Sequence, residues 1–113
     1  MAFFARLAPL ILWWNHIIIE ANYADDILEE NILRGIEHPS KRERLLTSHM
    51  ELEATKAVLM AQDLSGMKNI ILTHLSDLNS DEGRFVDEIK AITGKPVYAA
   101  KAGISLDLTK SPF

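Results

Sequence analysis

Apolar residues along this chain follow two kinds of spacing, unbroken β-branched runs and helical repeats. The runs HIIIE (His16–Glu20) and NIILT (Asn69–Thr73) are each closed or followed by a polar residue. This pattern is typical of central strands that are buried on both faces. We predict that the two strands pair in parallel, because the segment between them has the helical spacing of a crossover connection.

Helical spacing accounts for most of the other apolar positions. It predicts three helices between the two strands, over residues 25–33, 40–48 and 50–62. A fourth helix ends at Gly94, with Asn79 or Ser80 as its N-cap. Two short final strands, over residues 95–100 and 104–108, are joined as a hairpin. The predicted order is therefore β-α-α-α-β-α-β-β, which defines an α/β sheet rather than a helical bundle.

Length and composition place the chain among small globular domains. Its 113 residues hold one domain, and 48% apolar with 25% charged residues excludes disorder, collagen and coiled coils. The net charge of −4 argues against nonspecific, charge-driven binding of nucleic acid. Because the chain has no cysteine, disulfides, thiolate metal sites and cysteine nucleophiles are excluded, and the expected compartment is cytoplasmic.

Residues 1–15 form an apolar leader of uncertain role. As a signal peptide it offers Arg6 and an apolar core but no small-residue cleavage site. As a membrane span it is interrupted too often, by Pro9, Asn15 and the adjoining His16. We favour a partly irregular leader that covers a hydrophobic face of the domain, and we expect no membrane partner.

Three polar residues are expected at one edge of the predicted sheet. Glu20 closes the first strand, His74 follows the second, and His49 lies in the link before the third predicted helix. In open α/β sheets the chemistry-bearing groups collect beyond the carboxyl ends of the strands. A carboxylate-oriented imidazole moves protons and a second imidazole binds a cation, so these residue types suit metal-assisted hydrolysis. Each residue also has a purely structural interpretation, as a helix cap, a helix-start residue or a hydrogen-bonded strand-end histidine.

Three ordered segments give these residues a family context: IIIEANYADDIL, SHMELEATKAVL and NIILTHLSDLNSDEGRF. They resemble the E-A-N/T-Y/F, H-x-S/T-x-E and L-T-H-L/F-S blocks in the C-terminal half of metallo-β-lactamase-fold hydrolases of the ribonuclease Z-like and phosphodiesterase type. The closing segment KAITGKPVYAAKAGISLDL is similar to small bacterial and phage members of that superfamily. The resemblance spans residues 16–108, leaves residues 109–113 as a tail, and implies one half of an αββα sandwich.

The resemblance also implies a role for each candidate residue. His74 matches the last metal-binding histidine, which is normally a ligand to the second of two zinc ions. His49 matches the histidine that stabilises the scissile phosphate or protonates the leaving oxygen, and Glu20 matches the carboxylate that orients it. Where Glu51 stands, many relatives have Ser or Thr, which can N-cap the next helix, so we expect a different helix entry here.

The family's other metal-binding blocks have no counterpart in the sequence. There is no H-x-H-x-D-H motif, and the four histidines are widely spaced: His16, His38, His49 and His74. A catalytic zinc normally has three protein ligands, so His74 alone cannot hold one tightly.

Three interpretations follow. The first is a portion of a metal-dependent hydrolase, acting on a small-molecule or nucleic-acid phosphodiester or a related ester, and completed by an N-terminal half or by self-association. The second is a non-catalytic domain of the same fold, either a truncated product or a protein-interaction module. The third is an unrelated α/β domain.

Overall fold

A four-stranded mixed sheet lies at the centre of the α/β fold in this computed structural model, which describes residues 10–13 and 15–100. β1 pairs antiparallel with β2, whereas β2, β3 and β4 pair in parallel. In order across the sheet the strands are β1 (Ile11–Trp13), β2 (His16–Glu20), β3 (Asn69–Thr73) and β4 (Val97–Ala99). The two strands predicted from β-branched runs, and their parallel pairing, are confirmed.

Four helices in the described residues connect the parallel strands. They are α1 (Asp25–Leu33), α2 (Lys41–Ser48), α3 (Leu52–Met60) and α4 (Glu82–Thr93). Three of them lie between β2 and β3, and α4 lies between β3 and β4, as parallel pairing requires. The α4 helix ends at Gly94, whose φ of 69° is the left-handed conformation that glycine adopts at little steric cost. All four predicted helices are confirmed, with α3 shorter by two residues at each end.

One face of the sheet is buried against the helices. Alternate residues of β2, β3 and β4 point to this face and pack with apolar residues of α3 and α4. The main members of this cluster are Ile17, Ile19, Ile70, Leu72, Val97, Leu52, Leu59, Phe85 and Ile89. A smaller cluster of Tyr23, Leu28 and Leu45 fastens α1 to α2. The hydrophobic core therefore lies between the sheet and the helical layer.

The second face of the sheet carries the other set of alternating residues. A row of register partners crosses all four strands: Ile11, Ile18, Ile71 and Tyr98. Ile11 is 57% exposed and Tyr98 is 37% exposed, while the buried Ile71 belongs to neither apolar cluster of the described residues. Glu20 shares this second face, at the carboxyl end of β2.

The leader differs from the prediction in one respect. Ile11–Trp13 is a strand rather than irregular chain, because a turn at Asn15 folds this apolar run back along β2 and sets Ile11 opposite Ile18. Leu10 packs against the core, so this part of the leader does cover apolar surface. The rest of the leader, the predicted hairpin with its strand 104–108, and the tail 109–113 lie outside the described residues.

The N-cap of α4 also differs from the prediction. Asp81 is the cap, since its carboxylate accepts a hydrogen bond from the backbone N–H of Arg84 at 3.0 Å. Asn79 is buried instead: its Nδ2 donates to Glu37 Oε2 at 2.5 Å and its Oδ1 accepts from Asn31 Nδ2 at 2.9 Å. Asn79 was a reasonable cap candidate by residue type, but its amide is used to join the loop after β3 to α1 and to the turn that follows α1.

Candidate functional site

Glu20 lies between two histidines at the carboxyl end of the sheet. Parallel pairing sets Glu20 opposite Thr73, so the chain leaving β3 brings His74 alongside Glu20. The carboxylate Oε2 is 2.6 Å from Nδ1 of His49, and Oε1 is 3.5 Å from Nδ1 of His74. The structure therefore brings together all three residues that the sequence singled out.

His49 is positioned by the end of α2. Its backbone N–H donates to the carbonyl of Leu45 at 2.9 Å and closes the last helical turn, after which an extended φ of −139° carries the chain away. The next N–H, that of Met50, donates to Glu20 Oε2 at 3.2 Å. The side chain of Glu20 is 15% exposed and that of His49 is 38% exposed. A sheltered carboxylate thus holds a partly open imidazole by Nδ1, with Nε2 on the far side of the ring.

His74 has an unusual backbone conformation. Its φ is 58°, in the left-handed region, and it is the only non-glycine residue with positive φ in the described part of the chain. A side chain in this region crowds the following carbonyl, which makes the conformation uncommon outside glycine, although asparagine, aspartate and histidine adopt it more often than other residues do. The Nδ2 of Asn22 donates to the carbonyl of His74 at 2.6 Å. Such strain is found where a structure holds a side chain in a particular direction.

Residues 21–24 run between the two loops that bear the histidines. On one side, the N–H of Asn22 donates to Met50 O at 2.9 Å and the N–H of Leu52 donates to Tyr23 O at 2.7 Å. On the other side, the N–H of Ser76 donates to Asn22 O at 2.8 Å. These backbone hydrogen bonds fix both loops to the same short segment, and hence fix the separation of His49 and His74.

Thr55 of α3 supports Glu20, and Glu51 caps the start of the same helix. Thr55 is fully buried, and its Oγ1 donates to the carbonyl of Glu20 at 2.7 Å. Glu51 caps α3 by accepting from the N–H of Glu53 at 2.7 Å, and its second oxygen accepts from the N–H of Asp25 at 3.0 Å, where α1 begins. Glu51, for which a different helix entry was predicted, is thus itself the N-cap of α3, and its carboxylate accepts hydrogen bonds at the starts of two helices.

Each histidine opens on its own cavity. A cavity of about 640 Å³ is lined by His74 and by polar residues of the next loop and the start of α4: Ser76, Asp77, Ser80 and Glu82. A second cavity of about 450 Å³ is lined by His49 together with Tyr23, Leu46 and Ala54. Burial, and then the charges of Glu51 and Asp25, raise the pKa of Tyr23 to about 12, so its hydroxyl stays protonated. The two imidazoles are thus reachable from two different sides.

The site residues by themselves do not fit a zinc ion. Among the residues that the structure describes, no three histidine or carboxylate groups are grouped so as to hold a metal. Glu20 is committed to His49, which leaves His74 as one available ligand where a zinc ion needs three from the protein. The geometry alone therefore defines a carboxylate–imidazole pair with a second imidazole beside it.

The other two histidines are placed elsewhere. His16 is buried at the opposite end of β2, where its Nδ1 is 3.1 Å from Nδ2 of Asn69. His38 is exposed and its Nδ1 is 2.9 Å from the hydroxyl of Ser40. Neither of these hydrogen bonds involves Glu20, His49 or His74.

A cluster of ion pairs joins the helices away from the strand ends. Glu88 accepts from Lys56 at 2.5 Å and from Arg84 at 2.6 Å, and Arg84 also donates to Asp26 at 2.8 Å. Hydrogen bonds from Lys56 and then Arg84 hold the pKa of Glu88 below its usual value, and the hydrogen bond from Arg84 does the same for the pKa of Asp26. The cluster docks α4 on α1 and α3.

Two residues that shape the site carry little sequence signal. Asn22 and Thr55 both lie inside segments quoted for the family resemblance, yet neither has a role there. A short amide two residues after a strand-ending acid is a hint for Asn22, because such side chains bond to nearby backbone. Thr55 has helical spacing with the core residues of α3, so the sequence predicts only a packing role for it. Its hydrogen bond to the carbonyl of Glu20 is visible only in the structure.

Comparison with known proteins gives no relative for this chain: no protein-family model, curated protein or solved structure matches it significantly. Within the described residues, no helix has both the length and the apolar character that a bilayer crossing requires.

Proposed function

We propose that this chain is the C-terminal portion of a metallo-β-lactamase-fold hydrolase, with Glu20 and His49 as catalytic residues and His74 as a metal ligand. The observation that supports this is the position of the Glu20 carboxylate between the two imidazoles. The three residues come from three separate segments of the chain, and the roles that the resemblance implies require them to meet.

The chemistry proposed for this chain is proton transfer and phosphate binding by His49. Glu20 fixes the orientation and the tautomer of the ring through Nδ1, as carboxylates do for catalytic imidazoles. The opposite nitrogen, Nε2, then donates a hydrogen bond to a phosphoryl oxygen or gives its proton to the leaving oxygen. The substrate class is a phosphodiester or related ester, of a small molecule or of a nucleic acid.

The proposal requires a second body that supplies metal ligands. The zinc ions of the family need ligands that the described residues lack, so we propose an N-terminal half, or a second copy of the chain, as partner. The second sheet face offers the place: Glu20 lies at its end, and the partly exposed apolar row from Ile11 to Tyr98 crosses it. On this proposal the sheet and its helices form one half of the αββα sandwich, with β1 as an addition to the predicted order.

The experiment is zinc titration by calorimetry, with the full chain alone and with a coexpressed polypeptide from the reading frame directly upstream. His74→Ala removes the proposed ligand, and His38→Ala is the matched control, because His38 is an exposed histidine that bonds to Ser40. We expect weak binding by the chain alone, and tight binding by the complex that His74→Ala abolishes and His38→Ala preserves. Equal zinc affinity of the two variant complexes would contradict the assignment of His74.

A second candidate function is a non-catalytic interaction module of the same fold. The lack of a three-ligand group in the described residues favours it. A phosphodiester such as bis(p-nitrophenyl) phosphate separates the two: the hydrolase proposal expects zinc-dependent turnover by the complex, at least tenfold reduced in His49→Ala. A stable complex with neither zinc nor turnover would favour the module.

A further inference from the structure

Asn22 makes hydrogen bonds to both histidine-bearing loops. Its backbone N–H donates to the carbonyl of Met50, next to His49, and its backbone carbonyl accepts from Ser76, two residues after His74. Its side chain makes a third hydrogen bond, from Nδ2 to the carbonyl of His74 at 2.6 Å. The two backbone hydrogen bonds do not involve the side chain at position 22, whereas the third depends on the carboxamide.

That third hydrogen bond acts on a strained residue. With φ at 58°, His74 has a conformation that carries a steric cost for any residue with a Cβ, although histidine adopts it more often than most residues do. This left-handed residue directly follows β3, and its imidazole Nδ1 lies 3.5 Å from Glu20 Oε1. A donor on the carbonyl of His74 favours the peptide orientation that goes with this conformation. The side chain of His74 is 69% exposed, so packing does little to hold it there.

We propose that Asn22 is a positioning residue, whose carboxamide holds His74 in the left-handed conformation and thereby directs its imidazole toward Glu20. The inference rests on the proposed function only in treating His74 as a ligand, since the geometry it concerns exists without metal or substrate. It assigns to Asn22 a share in fixing how His74 presents Nε2: with Nδ1 turned to the carboxylate, Nε2 is the nitrogen left to meet a cation.

The alternative is that Asn22 serves the loop in general. The chain contains a matched control for this, because Asn31 also donates from Nδ2 to a carbonyl of the same loop, that of Leu78 at 2.8 Å. Asn31→Ala therefore removes two hydrogen bonds to the same loop, those to Leu78 O and to Oδ1 of the buried Asn79, without touching the peptide of His74. A general loosening of the loop would follow from either substitution, while a change confined to residue 74 would follow from Asn22→Ala alone.

The experiment is solution NMR on the full chain at alkaline pH, where the ring-nitrogen shifts are first used to verify that both imidazoles are neutral. The HN–Hα coupling of residue 74, together with the strong intraresidue HN–Hα nuclear Overhauser effect of a positive φ, reports its φ, and long-range nitrogen–proton correlations report which ring nitrogen carries the proton. In the wild-type chain we expect a left-handed φ and a proton on Nδ1 of His74. In Asn22→Ala we expect loss of that φ and a shift of His74 toward the Nε2-protonated form that free imidazole favours, with His49 unchanged.

Three outcomes overturn the proposal: an unchanged φ and tautomer at His74 in Asn22→Ala, the same shift in Asn31→Ala, or an Nε2-protonated His74 in the wild type. Should Asn22→Ala fail to fold, Asn22→Asp keeps the shape and removes the donor, and the same shift is expected. These readouts need neither zinc nor turnover. Failure of the hydrolase proposal therefore leaves the inference standing, and failure of the inference leaves the zinc titration to be judged separately.

Discussion

The two ends of the β2–β3 pair carry polar residues on the same sheet face in opposite states. At the amino end, His16 and Asn69 are register partners and both are buried, and Oδ1 of Asn69 has no hydrogen-bond partner in the described structure. At the carboxyl end, Glu20 accepts from His49 and from Met50 N–H, yet both histidines beside it are partly exposed. The buried end is incompletely bonded, and the open end is well bonded.

The difference separates polar groups buried within the packing from polar groups that remain accessible to solvent. A buried amide oxygen without a hydrogen-bond partner lowers stability, and the fold tolerates it where the packing of the surrounding core offsets that loss. A carboxylate that orients an exposed imidazole contributes less to the core, and it leaves one ring nitrogen facing outward. Burial and bonding together, rather than residue type, distinguish His16 from His49 and His74.

The largest effect should come from the core that supports both ends. Leu72 is a fully buried residue of β3 that packs in the core between the sheet and the helices. Leu72→Ala is therefore expected to lower the free energy of unfolding by about 2–5 kcal/mol. Urea denaturation followed by circular dichroism measures this loss. A loss below about 1 kcal/mol would mean that the helical layer is not packed on the sheet as described.

The second largest effect on stability is expected at the buried amino end of the β2–β3 pair. Asn69→Leu removes the amide that meets His16, and the lost contact should cost about 1–3 kcal/mol, while the simultaneous removal of the unpartnered Oδ1 offsets part of that loss. Adding His16→Leu should cost less than it does in the wild-type chain, because the two side chains interact. Denaturation of both single variants and the double variant gives the coupling. Strict additivity would contradict the pairing of these two residues.

At the carboxyl end, the glycine variant of residue 74 should be more stable than the alanine variant, which reverses the usual order of stability. Glycine accepts the left-handed conformation without the steric cost of a Cβ, so His74→Gly should be more stable than His74→Ala by roughly 0.5–1 kcal/mol. At His38, which has no positive φ, the alanine variant should be the more stable of the pair. Thermal unfolding of the four variants makes the comparison. The same order at both positions would contradict strain at His74.

The smallest expected effect is a pH dependence of the free energy of unfolding. It should come from Glu88, which lies at neither end of the β2–β3 pair. Because hydrogen bonds from Lys56 and Arg84 lower the folded-state pKa of Glu88, its stabilisation is present above the unfolded-state pKa and is lost as pH falls through the folded-state pKa. Glu88→Gln should therefore destabilise at neutral pH and converge with the wild type in acid. Stability curves from neutral pH down to about pH 3 test this, and parallel curves would contradict it.

The fold could be read from the sequence wherever local and tertiary signals agree. The β-branched runs of β2 and β3 and the helical spacing of α4 satisfy both, and those elements are confirmed. Ile11–Trp13 lacks alternation and acquires its strand conformation only from pairing with β2, so local pattern gave no warning of it. The prediction of Asn79 as an N-cap is wrong for the opposite reason. Asparagine does favour N-caps, but here its side chain forms hydrogen bonds with Glu37 and Asn31 instead.

The candidate site was predictable in membership but not in detail. Strand ends and motif resemblance together singled out Glu20, His49 and His74, and the structure brings them together. The left-handed φ of His74 has no signature in sequence, since glycine is the residue that normally marks it. The contribution of Asn22 depends on a carbonyl 52 positions away along the chain, a relation that composition and periodicity do not encode.

The parallel pairing of β2 with β3 also has a kinetic consequence. The contact between His16 and Asn69 spans 53 residues, whereas β1 and β2 meet through one tight turn. Chain closure over the longer span costs more entropy and delays contacts that depend on it, so the β1–β2 hairpin and the helices should form ahead of the parallel pair. The carboxylate and its two imidazoles then meet only when that long loop closes, which makes the site one of the last features of the molecule to assemble.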